Sequence, residues 1–420
     1  MPIGVETPRG PAGQAGIRPL RILFVCGEYS LVGGGFGSYV RSLAPALSAR
    51  GHEVHVLSCL GGQRSRDYQE GTVWVHERGK AMLRLGIRRL LGGQDTWDRV
   101  ISAVSCWFEQ ARLRIPFDVV EIADFGGEGL LLGLGRRRPV IAHLHGPLRL
   151  THQYSGARRG RDTRVADWLE KLTVARADSV TSPSDQVSRD LQDSRWLRRN
   201  RARTVRNPID LELWADVPPL RDTHPVVLAV GRVEPLKGPD VLVKAALILT
   251  KEVDGIEVVF IGRSSGVRDG LQYRDWVQKL AAELGAPCRF VEQVPRSDLK
   301  GWYAAARVVA VPSLYETLSM TGLEAMASGR PVVCSSRTGV AELVAGSGAG
   351  AVAPPGRPDL LAEALLPYVV DPELARVAGD HGRRLMRATC SPERIAEERE
   401  RCYRDALSSV GKPWGIQEWA

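Results

Sequence analysis

Four side chains in the second half of the chain have the types and spacing for phosphate and sugar chemistry. Arg232 and Lys237 stand five apart in Gly231-Arg232-Val233-Glu234-Pro235-Leu236-Lys237-Gly238, and Glu316 and Glu324 stand eight apart in Ser313–Met326. An arginine offers a planar fork of donors and a lysine a compact point charge, a combination suited to a diphosphate. Glycine at both ends of the 231–238 segment implies a constrained backbone rather than a solvated basic loop. In the first half, the glycine run Gly33-Gly34-Gly35 and a lone histidine, His145, are the matching candidates.

The elements around these residues follow from pattern. Val308–Val311 is a continuous apolar run stopped by Pro312-Ser313, which reads as a short buried strand. After Tyr315 the apolar positions Leu318, Gly322, Met326 and Ala327 fall on one helical face. Glu316 is then placed in the strand-to-helix turn and Glu324 about two turns into the helix. The backbone amides of Leu318, Ser319 and Met320 would point out of the helix start, where free N–H groups and the helix dipole favour an anion. Strand Pro225–Val230, the 231–238 loop and helix Pro239–Leu247 make the same strand–turn–helix unit. Strands at 257–261, 289–291 and 331–335, with helices at 273–284 and 298–306, continue a doubly wound pattern, in which ligands sit outside the carboxyl ends of the strands.

The first half repeats the plan. Arg21–Cys26 reads as a strand, Gly33–Gly37 as a loop, a helix starts near Ser38, and Val54–Ser58 is the next strand. This loop taken alone fits a dinucleotide site, a sugar-phosphate site or a tight turn. Its spacing is not GxGxxG, and Leu57-Ser58-Cys59 brings no acidic residue for a ribose, which argues against a nicotinamide cofactor. His145 follows the strand Pro139–Leu144, at the end where ligands are met. A long helix is expected over Val165–Arg176, a strand at Ser179–Ser182, and a charged helical stretch over 184–200. Asn207-Pro208 and Pro218-Pro219 mark a linker.

Length and charge bound the possibilities. A chain of 420 residues exceeds one comfortable core and implies two α/β domains. Seven scattered cysteines without CxxC spacing read as buried thiols, and no Asp-x-Asp cluster offers a metal site. No apolar run approaches the length of a membrane span, and residues 1–20 lack the apolar segment of a signal peptide. Residues 1–205 carry 31 Lys and Arg against 20 Asp and Glu, and residues 206–420 carry 26 against 28, so the whole positive excess lies in the first half. Residues 80–91, with Leu83, Ile87, Leu90 and Leu91 on one face and basic residues on the other, read either as a surface helix or as a peripheral contact with an anionic membrane.

Together these motifs resemble the retaining glycosyltransferases of family four, over about residues 20–405 and most densely over 225–345. Gly231-Arg232…Lys237-Gly238 is similar to the family's phosphate loop, and Glu316 with Glu324 to its paired glutamates. The run Leu323–Val333, His145-Gly146 and the loop 33–35 also fit. The resemblance implies a GT-B α/β fold, with two Rossmann-like doubly wound domains facing a central cleft. Residues 1–20 are then a flexible tail, 21–210 an N-terminal acceptor-binding domain, and 211–391 a C-terminal nucleotide-sugar-binding domain. Residues 392–420 form a C-terminal helix and tail packing back on the N-terminal domain.

By the same resemblance, Arg232 and Lys237 bind the donor diphosphate and Glu324 the ribose hydroxyls, while Glu316 and His145 contact the donor sugar. The amides of Leu318, Ser319 and Met320 meet diphosphate or sugar, and Gly34, Gly35 and Gly231 line the donor site. The implied enzyme is bacterial, cytoplasmic, metal-independent and without a cofactor. It uses a UDP-sugar, or next a GDP-sugar, and acts on a small-molecule or glycan acceptor, or on a lipid-linked one at the inner membrane face. A sugar-nucleotide hydrolase or epimerase shares the architecture, but the two carboxylates and two cations favour transfer. Nucleic acid is not expected as a partner, since aromatic–basic interleaving is missing. The chain departs from the family at Leu318-Ser319, where Phe-Gly is common, at Asn207-Pro208, where Asn-Gly is common, and around Glu292-Gln293, which leaves the base open.

Overall fold

The structure, a computed structural model, describes residues 18–27, 29, 35–62, 65–79, 94–133, 138–155, 160–199, 201–220 and 224–409. The first half runs β1 (Arg21–Cys26), α1 (Gly35–Ala49), β2 (Glu53–Gly62), β3 (Arg66–Glu70), β4 (Val73–Gly79) and α2 (Gln94–Leu113). It continues with β5 (Val119–Ala123), β6 (Val140–His143), α3 (Leu148–Ser155), α4 (Arg161–Arg176), β7 (Ser179–Ser182), α5 (Asp185–Asp193) and β8 (Ala202–Thr204). Its sheet has the order β3-β4-β2-β1-β5-β6-β7-β8, with β3 antiparallel to β4 and the other pairs parallel. The order reverses between β1 and β5. Helices cover both faces, which is why Ile22–Cys26 can be apolar without alternation.

The second half comprises α6 (Leu211–Ala215), β9 (Val226–Val230), α7 (Pro239–Leu249), β10 (Glu257–Ile261), the two-residue strands β11 (Val267–Arg268) and β12 (Leu271–Gln272), and α8 (Tyr273–Leu284). Then come β13 (Cys288–Val291), α9 (Leu299–Ala305), β14 (Val308–Val311), α10 (Met320–Ala327), β15 (Val332–Ser335), α11 (Ala341–Val344) and β16 (Gly350–Ala353). The six strands of its main sheet, ordered β13-β10-β9-β14-β15-β16, are all parallel, and the order reverses between β9 and β14. Helices α12 (Pro358–Val370), α13 (Pro372–Thr389) and α14 (Pro392–Ser409) finish the described chain. The two parallel sheets, each wrapped by helices, are the GT-B arrangement expected from the sequence.

Two expectations are revised, and one hairpin leaves no signal in the sequence. The charged stretch 184–200 is helical only to Asp193, because Arg195 takes a positive φ of 55° and turns Trp196 and Leu197 into the core. The hairpin β3–β4 was hidden, since Arg66–Glu70 exposes nearly all its side chains and carries no apolar alternation. The helix after the glutamate turn starts at Met320, later than its apolar spacing implies, so Leu318 and Ser319 belong to the turn.

Helix α14 leaves the second half and packs on α1, with Ile395, Ala396, Tyr403 and Ala406 completing the core on one face of the first sheet. Each such fully buried aliphatic or aromatic side chain contributes about 1.5–3 kcal/mol through area removed from water. All seven cysteines are free, six of them buried. No helix of the described residues is long and apolar enough to cross a membrane.

One carboxyl group is buried at a cost. Glu128 is 2% exposed and its Oε2 has no hydrogen-bond partner among the described residues, so burial pushes its pKa up to about 8. The folded chain then holds a proton that the unfolded chain has released, and stability falls as pH rises from the ordinary carboxylate range through about 8. Glu128→Gln is expected to raise unfolding free energy at about pH 9 by roughly 2–4 kcal/mol and to change it little at about pH 4. Urea melts of both proteins at the two pH values check this.

Candidate functional site

The reversal between β9 and β14 leaves a crevice at their carboxyl ends, and the loops that line it carry the candidate residues. Gly231, Arg232 and Lys237 from the loop after β9 meet Ser313, Glu316 and Ser319 from the turn after β14. Lys237 Nζ lies 2.6 Å from Glu316 Oε1, while Ser313 Oγ donates to Glu316 Oε2 at 3.0 Å. Arg232 is half exposed and pairs with Glu234 at 2.9 Å. Each cation therefore already faces a carboxylate, which holds it at the crevice before any ligand arrives.

Local backbone geometry explains the placement. Pro235–Lys237 form one 3₁₀ turn that ends at Gly238 with φ 62°. A Cβ on Gly238 would lie 2.4 Å from the Pro312 carbonyl oxygen, so only glycine lets the two loops touch. Gly262, after the neighbouring strand β10, allows a similar close approach, since its Cβ would fall 2.0 Å from the Gly231 oxygen. Glu316 is pinned through its backbone, its N–H donating to Arg337 O at 3.0 Å and its carbonyl accepting from Gly339 N at 2.9 Å.

The turn before α10 is strained at Ser319, where φ is 80°. Ser319 Oγ caps the helix by accepting from Gly322 N at 3.2 Å. The first intrahelical bond runs from Leu323 N to Ser319 O, so the amides of Leu318, Ser319 and Met320 precede the helical ladder. The side chain of Leu318 is core, and Thr321 Oγ1 ties the helix start to Val230 O at 3.1 Å.

Glu324 is not among the residues lining this crevice. Its carboxylate is 8% exposed and takes hydrogen bonds from Arg296 Nε at 3.1 Å and Tyr303 OH at 3.2 Å. Burial raises its pKa, and Arg296 opposes the shift. Arg296 and Tyr303 were missed from sequence; Arg296 could have been sought just past the carboxyl end of β13. Arg330 is likewise buried, but it donates to the carbonyls of Tyr303, Ala304, Ser328 and Pro218 and so only braces the fold.

The first half meets this turn directly. Thr317 Oγ1 donates to His145 O at 2.9 Å, and Ser184 Oγ donates to Thr317 O at 2.8 Å. Tyr154 stacks on Tyr315 with centroids 4.3 Å apart. His145 N donates to Asp124 Oδ1 at 2.7 Å, and burial pushes the Asp124 carboxyl up to about 7. The His145 ring packs on Phe36, Tyr39 and His143, and its buried Nε2 has no hydrogen-bond partner among the described residues. Burial, helped by the Arg399 charge, lowers its pKa to about 3, so the ring is neutral. Gly35 starts α1, whereas Gly34 and residues 80–91 lie outside the described residues. No group of three or more metal-ligating side chains occurs among the described residues.

Two family models match, Glycosyltransferase Family 4 over residues 33–213 and Glycosyl transferases group 1 over residues 211–385. A D-inositol 3-phosphate glycosyltransferase of Nocardia farcinica is 33% identical over 328 residues, covering 74% of this chain and 71% of that enzyme. The chain belongs to glycosyltransferase family four. A like-named enzyme of Kribbella flavida is 31% identical over 224 residues, which span half of this chain and 52% of its own length. Among solved structures, Anabaena HepE in complex with UDP-glucose superposes with a TM-score of 0.66 at 20% identity, covering 93% of this chain and all of that one. The family four enzyme thus has the GT-B fold and is a glycosyltransferase.

Gly238→Ala tests how this glycosyltransferase builds the loop after β9. The substitution is expected to cost about 2 kcal/mol in stability through φ strain and the clash with Pro312. It should also weaken nucleotide binding by displacing Lys237. Denaturant melts and nucleotide titration of the variant check both effects.

Proposed function

We propose that the enzyme transfers a sugar from UDP-sugar, with retention of anomeric configuration, to a hydroxyl of a small phosphorylated polyol or related small-molecule acceptor. The observation that carries the reading is the Lys237–Glu316 pair in the crevice beside Arg232 and the start of α10. A bound donor divides that pair. The diphosphate takes Lys237, Arg232 and the amides of Leu318, Ser319 and Met320, and Glu316 turns to a hydroxyl of the sugar. Glu324, with Arg296 and Tyr303 fixing its carboxylate, accepts from the ribose.

In the reaction the bond between the anomeric carbon and the phosphate oxygen breaks, and the electron pair leaves with the diphosphate. Cations already in place stabilise the charge growing on that oxygen, which is worth most where water is excluded. The acceptor attacks from the face the phosphate leaves, and the departing phosphate oxygen takes the acceptor proton. His145, neutral and with Nε2 free, is suited to hydrogen-bond the sugar rather than to act as a nucleophile. The UDP assignment is supported by the HepE complex, and the acceptor class by the inositol-phosphate enzymes and the basic first half.

Calorimetric titration with UDP, GDP and ADP tests the donor side. UDP is expected to bind selectively, and Lys237→Ala to weaken it about 10–100-fold, the worth of one charge-assisted hydrogen bond. Failure of all three nucleotides to bind folded protein overturns the site. NMR of the product should give the donor's anomer; the opposite anomer overturns retention.

A further inference from the structure

A polar chain runs through the interior from the last helix to the donor turn. Arg399 of α14, fully buried, lies 3.6 Å from Glu121 of β5, which also accepts from Tyr39 and Tyr403 at 2.5 Å each. Arg399 Nη1 donates to Thr181 Oγ1 at 2.6 Å. That hydroxyl lies 2.9 Å from His143 Nδ1. His143 Nε2 lies 2.9 Å from Asn207 Oδ1, and Asn207 Nδ2 donates to Met320 Sδ at 3.8 Å. His143, Thr181 and Asn207 are buried, and the His143 ring stands 4.5 Å from that of His145, edge to face.

Donor and acceptor roles along this chain follow from chemistry. Arginine only donates, so Thr181 Oγ1 accepts from it and has its own proton to give. Asn207 turns its NH₂ to the methionine sulfur and its oxygen to His143, so Nε2 must carry the imidazole proton. His143 Nδ1 is then the acceptor for the Thr181 hydroxyl. The ring with its proton on Nε2 satisfies every partner, and burial, helped by the Arg399 charge, disfavours a second proton on Nδ1.

We propose that His143 is a positioning residue for sugar transfer, locked as the neutral Nε2–H tautomer by Asn207 on one side and by Arg399 through Thr181 on the other, and that this chain holds the His145 ring and the Met320 end of the donor turn in one register. The role reaches across the molecule. His143 lies in the first sheet, Arg399 in the helix that returns from the second half, and Met320 at the anion-binding helix start. His143 touches no substrate; it sets the plane against which His145 packs. The proposal rests on the assignment of His145 to the donor sugar.

Thr181→Val removes the hydroxyl and keeps the shape, while Thr181→Ser restores it. The valine variant is expected to lose roughly tenfold in kcat, as misplacement of a contacting group costs. Its affinity for UDP should match that of the native enzyme, and the serine variant should turn over within about twofold of it. Nitrogen-15 NMR of histidine-labelled full-length protein, with His143 assigned by His143→Gln, should show Nε2 protonated in the native and serine proteins. Asn207 still requires Nε2–H in the valine variant, so there the change is expected at Nδ1, whose resonance should shift on losing the Thr181 donor. An Nδ1–H ring in the native enzyme, or a valine variant with native kcat and a native Nδ1 resonance, overturns the proposal. The tautomer is read without turnover, so its failure stays distinct from a failure of UDP binding, which would instead sink the donor site.

Discussion

Where two neighbouring parallel strands send their connections to opposite sides of a sheet, the loops must diverge, and the gap cannot be closed by either helix. In the second sheet that point falls between β9 and β14. The rest of the site depends on this constraint. The loop after β9 and the turn after β14 are the two lips of the gap, and their carboxyl-end position leaves the start of α10 open toward it. Cations and carboxylates set on those lips face one another at 2.6 Å across a space too polar to fill with core. Close passage of the lips then demands glycine at 238, where a Cβ would strike the Pro312 carbonyl oxygen, and the approach of the chain after β10 to Gly231 demands it at 262.

A crevice in one sheet is lined by one half of the chain only. The second half offers its glutamate turn to the first. Thr317 bonds on one side to His145 and on the other to Ser184, and Glu342 accepts from the amides of Asp185 and Gln186 at 3.1 and 2.7 Å. A carboxylate of one half thus caps a helix of the other, the position where negative charge is most favourable. Helix α14 adds the converse tie, burying an arginine beside Glu121 of the first sheet. A buried ion pair is weak evidence for stability, since desolvation offsets most of the Coulombic gain. In this docking a single carboxylate, Glu121, takes both tyrosine hydroxyls and lies 3.6 Å from Arg399.

The features legible from the sequence were those coded locally. Buried strands announce themselves as apolar runs, and Gly231, Gly238 and the Arg232–Lys237 spacing mark a constrained cationic loop. Strand β3 escaped notice because Arg66–Glu70 lies on the sheet's solvated edge. The start of α10 was misplaced because Ser319 adopts a backbone angle that L-residues rarely take and that no hydrophobic period reports.

By itself the sequence determined two doubly wound halves, the family, and the identities of Arg232, Lys237, Glu316 and His145 as the residues to watch. Spacing and residue type carry that much, since each signal lies within a few positions of its neighbours. Only the tertiary structure decided which groups those residues face. The pairing of Lys237 with Glu316, the hold of Arg296 and Tyr303 on Glu324, and the path from Arg399 to Met320 join positions 21 to 218 apart in the chain. Such contacts depend on how helices and sheets dock, and docking is set by the summed packing of whole faces rather than by any local run of residues.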